Sequence, residues 1–177
     1  MNGNESLIRQ FTEAAQSVTA VVVRVPADAE AVNQAILYAA SGETEILFAE
    51  PEFLPQDLFS VFRKHPGVIV NPTDEQLKTI KTGVTEAFAG VARTGSICVP
   101  VNRNLSGSIS LFTRKHIAVL RADTIIPQPR DVFSIKDPIV KGWLHNFVFI
   151  TGSSATADMG PLVRGVHGPG ALHIIVI

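Results

Sequence analysis

Cysteine is nearly absent from this chain, and its scarcity excludes several kinds of chemistry. The 177 residues include one cysteine, Cys98. The chain therefore cannot close a disulfide on itself, nor hold alone a cysteine-ligated iron–sulfur cluster, which takes several thiolates. Cys98 lies inside the apolar run 96–101 and reads as a small buried hydrophobe rather than a reactive thiol. Charge is also sparse and balanced. Charged residues make up 18% of the chain, with Lys+Arg 15 against Asp+Glu 16 and a net charge of -1. That balance offers no electrostatic footprint for nucleic acid or an anionic membrane surface. Apolar runs are short and interrupted, and none approaches the roughly 20 residues that cross a bilayer. The opening Met1-Asn2-Gly3-Asn4-Glu5 lacks the cationic and then apolar stretch of a signal peptide. A cytoplasmic location with no membrane span is the expectation.

What is present is a globular composition, 46% hydrophobic, of a length that fits one domain over residues 1–177. Helix-like and strand-like segments alternate, the signature of an α/β domain with a mainly parallel sheet. Leu7, Ile8, Phe11, Ala14, Ala15 and Val18 recur at helical spacing, giving a first helix within residues 1–18, placed at the periphery. Residues 19–25 form a β-branched run and read as a strand. Asp28 caps the next helix, which carries Ala31, Val32, Ala35, Ile36 and Ala39 on one face and ends by Gly42. A strand at 45–49, a helix at 55–64 and a strand at 67–70 follow. Thr73 with Gln76 makes a capping box for a helix reaching about Thr82. The Gly/Ala-rich segment 83–92 reads as a short helix beginning near Thr85. Strands are expected at 96–101, 116–120, 146–151 and 172–177. No internal repeat, low-complexity tract or linker divides the chain.

The densest polar cluster follows a strand: Thr151-Gly152-Ser153-Ser154-Ala155-Thr156-Ala157-Asp158. In open parallel sheets ligands collect beyond the carboxyl ends of strands. A glycine among hydroxyl residues offers backbone N–H groups and short donors suited to phosphate or carboxylate. Asp158 is a candidate base or ligand-orienting group. As bare pattern, a strand-to-helix turn capped by Ser154 or Thr156 accounts for the same residues. Arg164-Gly165-Val166-His167-Gly168-Pro169-Gly170 comes next. Here Arg164 can grip an anion bidentately, and two glycines bring backbone close to His167. A tight turn into the last strand is the plainer account. His173 alternates with Ile174 along that strand and reads as structural. A metal site on His167, His173 and Asp158 matches no recurring ligand spacing, so no metal is expected.

A third candidate pairs Thr85-Glu86 with Thr94-Gly95. Glu86 is a candidate nucleophile or base, although a Glu after a Thr commonly sits in a first helical turn for dipole reasons. Trp143, with Leu144 and Phe147, reads as an apolar anchor. No nucleophile elbow, phosphate-binding Walker loop or dinucleotide fingerprint occurs.

Three stretches taken together resemble the LUD (lactate-utilisation, LutC/YkgG-like, DUF162) family. They are Thr85-Glu86-Ala87-Phe88-Ala89-Gly90-Val91-Ala92-Arg93-Thr94-Gly95-Ser96, then 151–158 as quoted above, then Leu162-Val163-Arg164-Gly165-Val166-His167-Gly168-Pro169 with Leu172-His173-Ile174. The resemblance implies a three-layer α/β/α fold like that of the glucosamine-6-phosphate deaminase, ribose-5-phosphate isomerase and CoA-transferase superfamily. It implies a role in oxidising L-lactate to pyruvate beside separate iron–sulfur proteins. Those partners would carry the clusters, leaving no cofactor on this chain. The candidate ligand-binding residues across these stretches are Thr85, Thr94, Gly95, Thr151, Gly152, Ser153, Ser154, Thr156, Arg164, His167 and Gly168, with Glu86 and Asp158 as candidate catalytic groups. Two positions depart from the family pattern. Arg93 stands where an acidic residue is usual, and Met159-Gly160-Pro161 replaces another. The family's ligand is therefore not carried over with its motifs.

Two functions of different kinds remain open at this point. One is a non-redox accessory subunit for lactate oxidation, binding partner proteins and a small anion. The other is a stand-alone enzyme or binding protein for a phosphorylated or CoA-linked anion, which rests on fold analogy.

Overall fold

In the computed structural model, residues 3–101, 104–137, 141, 146–156 and 163–177 are described. Trp143, Asp158 and the Met159-Gly160-Pro161 segment lie outside the described residues. Helix α1 (Gly3–Ser17) leads into strand β1 (Val21–Arg24), helix α2 (Ala29–Ala39) and strand β2 (Ile46–Phe48). Two short 3-10 turns, Gln56–Phe59 and Phe62–Lys64, precede β3 (Val68–Ile69), α3 (Asp74–Thr79) and β4 (Thr82–Ala87). Next come β5 (Ala89–Val91), β6 (Ser96–Pro100), α4 (Ser106–Phe112), β7 (Lys115–Leu120) and β8 (Ile125–Ile126). The chain finishes with β9 (Phe147–Thr151), β10 (Ala155–Thr156), β11 (Val163–Arg164) and β12 (Ala171–Val176).

Six strands form an all-parallel sheet in the order β1-β12-β7-β4-β2-β3. Its inner strands are apolar on both faces, as burial between two layers requires. Alternation sorts the side chains. Ile117, Val119, Ile175, Val84 and Phe48 pack against Val32 and Ile36 of α2 and against Phe59 and Phe62. Ala118, Leu120, Leu172, Ile174 and Val176 face the other way, onto Ile8, Phe11 and Ala15 of α1 and Ile97, Val99 and Ile150. Helices thus cover both faces in a three-layer α/β/α arrangement. Into the layer holding α1 and α4 is set a second sheet of order β8-β5-β6-β9, antiparallel at β5–β6 and β6–β9. Among the described residues no helix is long and apolar enough to cross a membrane.

Three local expectations are corrected. The segment 83–92 is strand, not helix, and sits in the middle of the molecule. A Cβ on Gly83 would come within 2.3 Å of Ile109, so small residues there let α4 lie directly on β4, and that packing overrides the helix propensity of alanine. The 55–64 segment is two 3-10 turns, which bring Phe59 and Phe62 onto Phe48 with ring centroids 5.2 and 5.3 Å away. Residues 155–156 start no helix. They pair antiparallel with 163–164, so neither Ser154 nor Thr156 is an N-cap.

Candidate functional site

The hydroxyl-rich turn after β9 does not lie beyond the carboxyl ends of the parallel sheet. β9 belongs to the antiparallel sheet, and its exit delivers Gly152 and Ser153 to residues 18–19, at the amino end of β1. Gly152, at φ 65°, lies so close to α1's exit that a Cβ would stand 2.0 Å from the carbonyl oxygen of Val18. Gly95, at φ 65°, is pressed equally hard under Ala14 and Ala15. A hydroxyl chain runs from Thr94 through Ser96 to Thr151, both links 2.7 Å, and Ser153 hydrogen-bonds Thr19. Gly95, Gly152 and Ser153 therefore clamp α1 and its exit to the second sheet, while Thr94 is braced within that sheet.

Beside this clamp opens a cavity of about 510 Å³, at the amino ends of β7 and β12. Its walls come from three sources: Ser108, Ser110, Leu111 and Phe112 of α4, residues 148–151 of β9, and the turns holding Gly152, Ser154, His167 and Gly168. The two turns are tied together, because the Ser154 N–H donates to the Pro169 carbonyl at 2.7 Å and the Ser154 carbonyl accepts from Gly165 at 2.9 Å. The rim is apolar, with Leu111 51% and Phe112 60% exposed. No Lys, Arg, Asp or Glu lines the cavity among the described residues.

His116 also forms part of the wall and is fully buried. Burial pushes its pKa down to about 3, so the ring is neutral. Its Nε2 lies 2.8 Å from the Thr85 hydroxyl on the adjacent strand β4, while Nδ1 has no partner among the described residues. The tautomer of the ring sets whether Nε2 or the hydroxyl donates.

Of the expected site residues, Thr151, Gly152, Ser154, His167 and Gly168 meet at this cavity, with Thr85 one bond behind it. Thr156 lies on β10, and Arg164 is exposed on β11 outside the cavity wall. Glu86 is elsewhere, near the carboxyl end of β4. Its carboxylate accepts the backbone N–H groups of Glu52, Phe53 and Leu54 at 2.5–2.9 Å, strapping the segment after β2 to the sheet. Burial pushes its pKa up to about 7, against the pull of those three donors. It is not in a first helical turn, because β4 is a strand. Cys98 is buried in β6, its thiol pushed up to about 12. His173 is half-buried, its pKa lowered by burial and by Lys115. Among the described residues no group of three or more His, Cys, Asp or Glu could hold a metal. Reasoning from sequence missed His116 and the α4 wall. His116 looks like the polar start of an ordinary strand until Thr85, 31 residues away, lies beside it.

A parallel sheet with an antiparallel sheet let into one outer layer, and a cavity between the two, defines an α/β domain of the DUF162 kind. A solved DUF162 family protein from Deinococcus radiodurans has the same fold, with a TM-score of 0.73 at 21% identity over 99% of both chains. The LUD domain model matches residues 8–177, and the chain belongs to that family. It is 29% identical over 147 residues to lactate utilization protein C of Anoxybacillus flavithermus, covering 78% of this chain and 66% of that protein. It is also 31% identical over 99 residues to lactate utilization protein C of Bacillus licheniformis, covering 54% and 41%. The chain spans two thirds or less of the length of these curated relatives.

Proposed function

We propose that this chain is the non-redox component of a cytoplasmic lactate-oxidation system, with the cavity between α4, β9 and the 152–154 and 167–169 turns as its binding site. The overall conversion takes L-lactate to pyruvate, releasing two protons and two electrons. The electrons pass to iron–sulfur clusters on partner proteins. The observation that carries this reading is the likeness to lactate utilization protein C over 147 residues, which includes neither a cluster-ligating cysteine set nor a reactive thiol. The lone Cys98 is buried and held protonated, which supports placing the clusters on the partner proteins. The stand-alone enzyme reading gains no support from Glu86, whose two oxygens are occupied as a backbone strap.

The test is genetic and biochemical together. In a host deleted for its own lactate utilization protein C, the chain should restore growth on L-lactate and co-purify with the iron–sulfur partners. A folded, expressed chain that does neither would overturn the reading.

A further inference from the structure

The outer edge of β1 is open, and its chemistry names what closes it. We propose that β1 pairs antiparallel with β1 of a second copy of this chain, about a two-fold axis at Val23, joining the two parallel sheets into one. This surface lies apart from the cavity and does not depend on the lactate role.

The backbone argues first. β1 ends the parallel sheet and pairs with β12 alone. Val25 donates its N–H to the Val176 carbonyl. By strand alternation Val21 and Val23 also turn toward β12, so Val22 and Arg24 turn their N–H and C=O groups outward. Among the described residues no strand pairs on that side. Proteins guard such edges with charge, proline, bulges or brevity. The opposite edge is guarded, since β3 has two residues and Asn71-Pro72 follows it closely. β1 is not guarded. Val21 is 48% and Val23 38% exposed, and its one charge, Arg24, is engaged by Glu5 through two hydrogen bonds of 3.0 Å.

Side chains argue next. Val21, Val23 and Val25 form one wall of a groove of about 240 Å³, and Ala35 and Tyr38 of α2 form the other. That volume falls below the roughly 300–1,000 Å³ of small-molecule sites. His173 also lines the groove and is held toward its neutral form by burial and by Lys115. A two-fold axis brings each residue near its own copy, so a charge at the axis would meet its like. None stands there. With the axis at Val23, Val22 and Arg24 exchange backbone hydrogen bonds with Arg24 and Val22 of the second copy, which uses the outward groups of both. Val23 then faces its own counterpart and Val21 faces Val25, giving aliphatic cross-strand pairs throughout. The same axis puts both α2 helices on one face of the joined sheet, where Tyr38, 83% exposed in the single chain, is covered. Homodimer interfaces are apolar and poor in charge at their core, which favours a second copy over an unlike partner. Thr19, at φ 72°, and Pro26 end the run on either side, so the pairing stops there.

The test uses the full chain in sedimentation velocity at micromolar concentration. The parent should run at twice the chain's 19.0 kDa. Val23→Lys sets two like charges face to face and should weaken association about a hundredfold or more. Glu75→Lys, exposed on α3, should leave the dimer unchanged. Residues facing each other at the axis lie roughly 4.5 Å apart between Cα atoms, within the span of a disulfide. Val23→Cys should therefore oxidise to a covalent dimer, while Val21→Cys, which faces Val25 of the second copy, should not. Cys98 is buried and stays out of that reaction. If Val23→Lys fails to fold, the two cysteine variants decide. The proposal is overturned if the parent is monomeric throughout the micromolar range, if Val23→Lys is folded and still dimeric, or if Val21→Cys cross-links as readily as Val23→Cys. A monomeric chain whose Val23→Cys variant cross-links to a different protein would also overturn it, and would assign the edge to that unlike partner.

Discussion

Glu86 sets two physical effects against each other, and replacing it with glutamine shows which one wins. The carboxyl group is buried, which favours its neutral form, yet three backbone N–H groups point at it, which favours its charge. The balance leaves its pKa at about 7 against an ordinary 4.5. Because the folded value is raised, the folded state holds a proton that the unfolded chain has already lost between those two values. The stabilising contribution is therefore full below about pH 4.5 and is lost as pH rises to about 7. At 1.36 kcal/mol per pH unit the loss is on the order of 3 kcal/mol. The amide introduced by Glu86→Gln cannot titrate and stands in for the neutral acid. Other titrating groups are common to both proteins and cancel in the difference. Urea melts of the two proteins at several pH values from 4.5 to about half a unit above the raised pKa should show the variant gaining on the parent by about 3 kcal/mol across the series. A constant difference, or a parent that gains as pH rises, would refute the reasoning and show that the three N–H groups hold the carboxylate ionised. Glu86→Ala serves as the companion. It strands all three donors and should cost about 3–5 kcal/mol near pH 4.5, and because alanine does not titrate either, its gap to the parent should narrow as pH rises just as the glutamine variant's does.

Three further outcomes are expected. Phe11→Ala, at a fully buried ring between α1 and both sheets, should lose about 3–5 kcal/mol in chemical denaturation, and a loss under about 1 kcal/mol would mean α1 is not part of the core. Gly152→Ala forces a side chain into a left-handed backbone and against the Val18 carbonyl, so its melting temperature should drop by the equivalent of about 1–3 kcal/mol, whereas an unchanged melt would contradict the clamp. Cys98 should resist a thiol reagent in the native protein at neutral pH and react once urea unfolds it, because its thiol is buried and held up to about 12; rapid native labelling would count against that burial.

Much of the central sheet was legible because buried parallel strands show themselves as apolar runs. The segments 19–25, 45–49, 116–120 and 172–177 all contain strands of that sheet. α2 was legible from its period and from Asp28, which does accept from Glu30 and Ala31. α3 was legible from its capping box, present in both directions between Thr73 and Gln76. β4 and β5 were not legible, since their small residues suit helix and strand alike until α4 is known to lie on Gly83. For the site, the turn at 151–154 and the His167-Gly168 pair were found by their glycines and hydroxyls. The residues that give the cavity its chemistry were not. Thr85 and His116 meet only across two strands, and Leu111 and Phe112 belong to a seven-residue helix hidden in a polar-looking stretch.

The placement of β12 between β1 and β7 has a bearing on how the protein is made. β1 pairs in the sheet with residues 173–176 of β12, so its ladder stays open until that distant strand has emerged from the ribosome. β7 likewise waits for one of its two neighbours. Sheet closure is thus a late, long-range event, slow by topology and exposed to off-pathway strand pairing in the interval. A nascent chain stalled before residue 171 would display apolar edges on both β1 and β7, a natural substrate for chaperones that bind extended apolar segments.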